Sequence, residues 1–295
     1  MTAFADSLID ATRRLGHPLC VGLDPFPARI PLLFGPEGSL EALEGFFSAV
    51  LARVAGRVAI VKPQIGLFEP YGAAGVALVE RLAERARDAG LLVLLDAKRG
   101  DIGTTAEGYA RAYLGPIPSL HADCITVNPY MGLDTLEPFA AAALSEDKGM
   151  AVLVRTSNSG AGDFQDLLVD GAPLWERVAI ALQPLAARLT GASGWSSLMI
   201  VAGATYPAEA ARLRALLPNA LFLVPGYGAQ GAGADDALAG FIQGPHGREG
   251  GVVSSSRAIL YPPGAFEATS LGHWATLIDR ALDSAIAELR AATAR

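Results

Sequence analysis

The chain has 295 residues, half of them apolar and under a fifth charged, which gives a globular protein with a large core and excludes a disordered one. The net charge of −7 argues against a nucleic-acid binder, which would carry a basic excess. Two cysteines, Cys20 and Cys124, are too few for a disulfide framework, and each lies in an apolar run, as a small buried hydrophobe in a reducing compartment would.

In chain order, residues 1–16 read as an amphipathic helix without a basic start or an unbroken apolar stretch, so neither a signal peptide nor a membrane span is expected. Eight short apolar runs follow: Leu19–Leu23, Val58–Val61, Leu91–Leu95, Cys124–Val127, Met150–Val154, Leu198–Ala202, Leu221–Val224 and Gly251–Val253. They lack polar alternation, as parallel strands covered on both faces do. Helical segments are expected between them at Leu40–Val54, Gly72–Ala89, Ala106–Leu114, Thr135–Ser145, Leu174–Leu189 and Ala208–Leu217, with a last helix at Trp274–Ala291. This alternation predicts one (β/α)₈ TIM barrel over residues 1–295 with an extra N-terminal helix; an open doubly wound sheet is the rival.

Polar residues end the runs: Asp24, Lys62, Asp96, Asn128, the Arg155–Asn158 stretch and the Ser254–Arg257 stretch. Any one could be a helix cap, but six strand ends together predict a site on the C-terminal rim, where barrels of this kind carry their chemistry. Of 23 basic residues only Lys62, Lys98 and Lys148 are lysine. Lys148, in SEDKG, reads as a solvated loop residue. The other two leave strands, where an amine can exchange a proton and a guanidinium effectively cannot. In DAKRGD, Asp96 and Lys98 are two apart and in extended backbone would point the same way, with Asp101 one turn further on. Flanking carboxylates would keep the lysine protonated, as a proton donor and not a Schiff-base nucleophile. The same group would also serve as an ion pair at the rim. The scattered histidines, His17, His121, His246 and His273, have no metal-ligand spacing and read mostly as surface or capping residues, so neither a metal nor another cofactor is expected.

The run D-x-K-x-x-D-I-x-x-T at Asp96–Thr105 resembles the signature of the orotidine 5′-phosphate decarboxylase family. CVGLDP at Cys20–Pro25, VKPQ at Val61–Gln64, PGYGAQG at Pro225–Gly231 and SSRAILY at Ser255–Tyr261 extend the resemblance over most of the chain, and TVNPYMG and VRTSNSG are most similar to its longer bacterial subgroup. Two positions depart from the common spelling: Ser256, where many members have glycine, and Ser159, where proline is common. The resemblance implies cofactor-free loss of CO₂ from orotidine 5′-phosphate to give UMP, the last step of pyrimidine nucleotide synthesis. Lys98 would protonate C6 within an array of Lys62, Asp96, Lys98 and Asp101. Asp24 would bind ribose, Ser157 and Gln230 the base, and Arg257 with the Pro225 loop the phosphate; Ile102 and Thr105 would complete the substrate site. It further implies a cytoplasmic homodimer in which Asp101 and Thr105 serve the partner's site. The long stretch 226–250 is expected to act as a lid. A metal-dependent sugar-phosphate lyase of the same superfamily and a catalytically silent phosphate-binding barrel remain as alternatives.

Overall fold

The computed structural model describes residues 2–116, 120, 122–228 and 231–295. Eight parallel strands close into a barrel: β1 (Leu19–Leu23), β2 (Ile60–Pro63), β3 (Leu92–Arg99), β4 (Cys124–Val127), β5 (Gly149–Arg155), β6 (Ser196–Ala202), β7 (Ala220–Val224) and β8 (Gly251–Ser255), with β8 pairing back to β1. The helices that cross over between them are α2 (Leu40–Val54), α3 (Gly72–Asp88), α4 (Gly103–Leu114), α5 (Glu137–Ser145), α6 (Leu174–Ala181), α7 (Gln183–Arg188), α8 (Pro207–Leu216) and, after β8, α9 (Leu271–Thr293); α1 (Phe4–Leu15) precedes the barrel. The closed order excludes the doubly wound sheet.

Period-two alternation sorts each strand into an outward and an inward set. Val21, Val61, Leu95, Ile125, Val152 and Ile200 belong to the cluster under the helices. Cys20, Ile60, Leu94, Cys124, Ala151, Met199, Leu221 and Val252 fill the barrel interior. The bottom is closed by α1, whose Phe4, Ala5, Leu8 and Ile9 join that interior cluster. Burying the three larger side chains stabilises the fold by about 1.5–3 kcal/mol each. Gly149 permits this: a Cβ there would lie 2.4 Å from the Phe4 ring.

Several expectations are corrected. Strand β2 is displaced by two residues and β3 runs four residues further than Leu95, so Lys62, Asp96 and Lys98 lie inside strands. The single helix expected over Leu174–Leu189 is two, because Pro184 has no N–H to continue the ladder. Of the stretch 226–250, Gly226 and Tyr227 line the cavity mouth and residues 231–250 form a crossover to β8. It contains a four-residue helix, Ala234–Ala237, and a hairpin, Ile242–Gly244 with Gly247–Glu249, that delivers the chain to the start of β8. There Glu249 accepts from Arg13 at 2.7 Å and from Trp195 Nε1 at 3.0 Å, while Arg214 donates to the Gly240 and Gly250 carbonyls. These contacts fix the hairpin at the N-terminal end of the barrel. Lys148 is not solvated; it pairs with Asp123 at 2.8 Å beside the start of β5. His17 is not a surface residue either: it is buried before β1, and its Nδ1 accepts from Leu19 N at 3.3 Å.

Candidate active site

One repeat above the apolar interior layer, the inward positions change character. Strands β2, β3, β4 and β8 present Lys62, Asp96, Thr126 and Ser254, whereas β5, β6 and β7 present Leu153, Val201 and Leu223. All seven line one cavity of about 530 Å³ at the C-terminal mouth. It is half ionic and half apolar because polar residues replace hydrophobes at one level of the barrel on four of its strands.

The ionic half centres on Asp96. Its Oδ2 accepts from Lys62 Nζ at 3.0 Å and Gln64 Nε2 at 2.9 Å; its Oδ1 accepts from Lys98 Nζ at 2.6 Å and Thr126 Oγ1 at 2.9 Å. Lys62 also faces Asp24 Oδ1 at 4.0 Å. Burial alone would push the Lys62 ammonium toward neutrality, but the carboxylates of Asp96 and Asp24 outweigh it and hold its pKa above the ordinary lysine value. Burial would likewise raise Asp96; the ammoniums of Lys62 and Lys98 reverse this and hold it well below the usual carboxylate range. The floor therefore carries fixed charges of alternating sign. Lys62 and Asp96 are about one-tenth exposed, but the Lys98 side chain is 47% exposed and reaches into the open cavity.

The side-by-side placement of Asp96 and Lys98 arises differently from expectation. Lys98 is not extended; its φ of 48° is left-handed, rare for a residue with a side chain. Strand β3 leaves register with β4 here, pairing Leu95 with Ile125 but Arg99 with Val127. The two extra residues of this bulge turn the lysine toward the carboxylate.

Opposite the ionic floor, Ser157, Pro225, Tyr227, Ser256 and Arg257 complete the cavity wall. Arg257 is exposed at the rim and has no carboxylate partner among the described residues. Tyr227 anchors its loop by donating to Glu288 Oε2 of α9 at 2.7 Å. Asp24 is held by Tyr261, whose hydroxyl donates to the Asp24 carbonyl at 2.8 Å. Asp24 Oδ1 and Ser256 Oγ are buried without a hydrogen-bond partner in residues that line this cavity.

Of the expected site residues, Asp24, Lys62, Asp96, Lys98, Ser157, Pro225 and Arg257 meet in this cavity. Asp101, Ile102 and Thr105 do not: they lie on the outer rim at the start of α4, where Asp101 Oδ1 accepts from Ile102 N at 2.8 Å. Gln230 lies outside the described residues. Asn128 forms a turn, accepting from Tyr130 N at 3.0 Å, and Arg155 is buried in ion pairs with Glu209 and Asp166 while stacking on Tyr206, so neither of these two side chains serves the cavity, although Ser157 of the same strand end does. Thr126, Gln64 and Gln165 are cavity or near-cavity groups without an expected role, although Gln64 ends VKPQ and Thr126 begins TVNPYMG. Thr126 was findable by stepping two residues from Cys124 on the inward face.

A family model described as "Orotidine 5'-phosphate decarboxylase / HUMPS family" matches residues 17–264. The chain is 40% identical over 272 residues to orotidine 5′-phosphate decarboxylase of Rhodopirellula baltica, covering 88% of this chain and 89% of that one. It is 44% identical over 261 residues to the enzyme of that name from an Azoarcus species, covering 88% and 90%. Its structure resembles that of Leishmania donovani OMP decarboxylase with a TM-score of 0.77 at 31% identity, over 99% of both chains.

Proposed function

We propose that this chain, which belongs to the orotidine 5′-phosphate decarboxylase / HUMPS family, removes CO₂ from orotidine 5′-phosphate to leave UMP, with residues 1–295 acting as one catalytic domain. The observation that carries the residue assignment is the saturated Asp96 carboxylate between two ammoniums at the cavity floor. The bond from C6 to the carboxylate carbon breaks, CO₂ departs, and the electron pair left on C6 takes a proton from Lys98 Nζ. Fixed charges stabilise that carbanion-like centre without reorganising as it forms. Lys62 keeps Asp96 ionised, and Asp96 holds the Lys98 ammonium in place. The wall of Leu153, Val201 and Leu223 suits neutral CO₂ better than the carboxylate it came from. Asp24 takes the ribose hydroxyls through its carboxylate. Arg257, with the Pro225 loop, binds the phosphate, a charge-assisted contact suited to an arginine fork. Ser157 and Gln230 read the base, while Ile102 and Thr105 complete the substrate contacts.

The proposed assembly is a homodimer in which Asp101 and Thr105 of one subunit serve the other's cavity. Two observations support it. Asp101 stands outside its own cavity, and around it lie exposed apolar side chains: Ile102 (61%), Tyr130 (87%), Met131 and Leu133. A cluster of that kind beside a functional rim suits a protein partner. Action in the cytoplasm is part of the same reading: both cysteines are free and buried, and among the described residues no helix is long and apolar enough to cross a membrane.

No metal or organic cofactor enters this scheme. Following the absorbance of orotidine 5′-phosphate before and after exhaustive chelation tests it. Full turnover is expected in both arms. A strict divalent-metal requirement would favour a sugar-phosphate lyase, and no turnover at all a silent phosphate-binding barrel.

A further inference from the structure

The left-handed backbone at Lys98 and the slipped register beside it leave the amides of the bulge without ladder partners on β4. Thr126, 1% exposed, supplies the acceptor for two of them: Oγ1 lies 2.9 Å from Ala97 N and 2.8 Å from Lys98 N. Amides can only donate, so both lone pairs of the hydroxyl are committed to them. Its single proton then points to Asp96 Oδ1 at 2.9 Å. One side chain on the neighbouring strand thus uses its entire hydrogen-bonding capacity on three consecutive residues, 96 to 98, bonding the carboxylate of Asp96 and the backbone that carries the Lys98 ammonium.

We propose that Thr126 is a positioning residue for the decarboxylation, fixing the bulge that sets Lys98 Nζ beside Asp96 and over the reacting carbon. This rests on the decarboxylase reading above. Thr126 acts through the backbone of Lys98 and the carboxylate of Asp96, whereas the groups assigned to ribose and phosphate, Asp24 and Arg257, follow β1 and β8 and make no hydrogen bond with it. Its loss therefore acts on the chemical step and not on nucleotide affinity.

The test is a comparison of Thr126→Val, which keeps the shape and removes the hydroxyl, with Thr126→Ser, which keeps the hydroxyl and removes the methyl. For Thr126→Val, kcat should fall about 100-fold, as expected for a misplacement of order 1 Å at a reacting group, with KM and calorimetric UMP affinity within about 3-fold of wild type. Thr126→Ser should stay within about 5-fold of wild type in kcat, because both amides and the carboxylate keep their partner. Thr126→Ala replaces the valine variant if the latter does not fold. Wild-type kcat in the hydroxyl-free variant would overturn the proposal, as would a serine variant as slow as valine, or a loss seen mainly in KM and UMP affinity. Wild-type protein assayed in parallel separates the two levels: no turnover by wild type defeats the decarboxylase reading, whereas active wild type with an unimpaired valine variant defeats only the role of Thr126.

Discussion

Complementation between two inactive variants tests chemistry and assembly together. Lys98 projects into its own cavity, 2.6 Å from Asp96, while Asp101 sits on the outer rim and does not line that cavity. Lys98→Ala removes the proton donor and Asp101→Ala the carboxylate offered to the neighbouring subunit. Each pure variant should retain at most about 1% of wild-type kcat, since a positioned proton donor contributes roughly 10²–10⁴-fold. When equal amounts exchange subunits at random, homodimers and heterodimers form in about a 1:2:1 ratio. Each heterodimer then holds one site carrying both defects and one carrying neither, so the mixture should recover about a quarter of wild-type activity. The assay is orotidine 5′-phosphate turnover after co-refolding or prolonged mixing, with exchange verified by differently tagged subunits. If heterodimers form and activity stays at the level of the separate variants, Asp101 acts within its own chain and the shared site is wrong.

Arg257→Ala should leave stability unchanged, because the side chain is exposed and unpaired, and should lower kcat/KM for the nucleotide by about 10- to 100-fold through loss of a charge-assisted contact. Turnover of orotidine, which lacks the phosphate, should not change; an equal loss on both substrates would remove the phosphate assignment. His17 governs part of the acid limb of stability. Burial, reinforced by Arg290, lowers its pKa to about 4 from 6.5, so below pH 6.5 the unfolded chain takes up a proton that the native chain refuses. Its contribution is intact above pH 6.5, declines as pH falls toward 4 and then levels off, a total of up to about 3 kcal/mol. His17→Asn, which keeps an acceptor but does not titrate, should flatten urea-derived stability across that window; an unchanged slope would show that other groups set it.

Most strands were legible because strands covered on both faces are continuous apolar runs, and β1 and β4 have the boundaries that the runs predict. The extension of β3 was not, since DAKR reads as a polar loop until Lys62 and Lys98 are seen to satisfy Asp96 within the barrel. Helices α6 and α7 appeared as one because apolar periodicity continues across Pro184 while the hydrogen-bond ladder does not. At 226–250, a stretch that must return from the top of β7 to the bottom of β8 is long for topological reasons, and only Glu249 and Arg214 reveal where its hairpin is fastened. At the site, the charged residues announced themselves by type, whereas Thr126 is ordinary in composition and becomes informative only through the bulge opposite it. The separation of Asp101 from Lys98, three positions apart in sequence, depends on the turn at the start of α4, which a motif does not encode.

The stopper at the bottom of the barrel bears on the order of folding. Helix α1 precedes every strand of the barrel in the chain, yet its partners come late: Ala5 N bonds Ser197 Oγ across 192 positions, and Arg13 meets Glu249 across 236. Until those strands exist, the apolar face of Phe4, Leu8 and Ile9 has no interior to enter. Contacts of such long range are formed late and slowly, so α1, synthesised before the strands it plugs, should dock near the end of folding and should be exposed to chaperones while they are made.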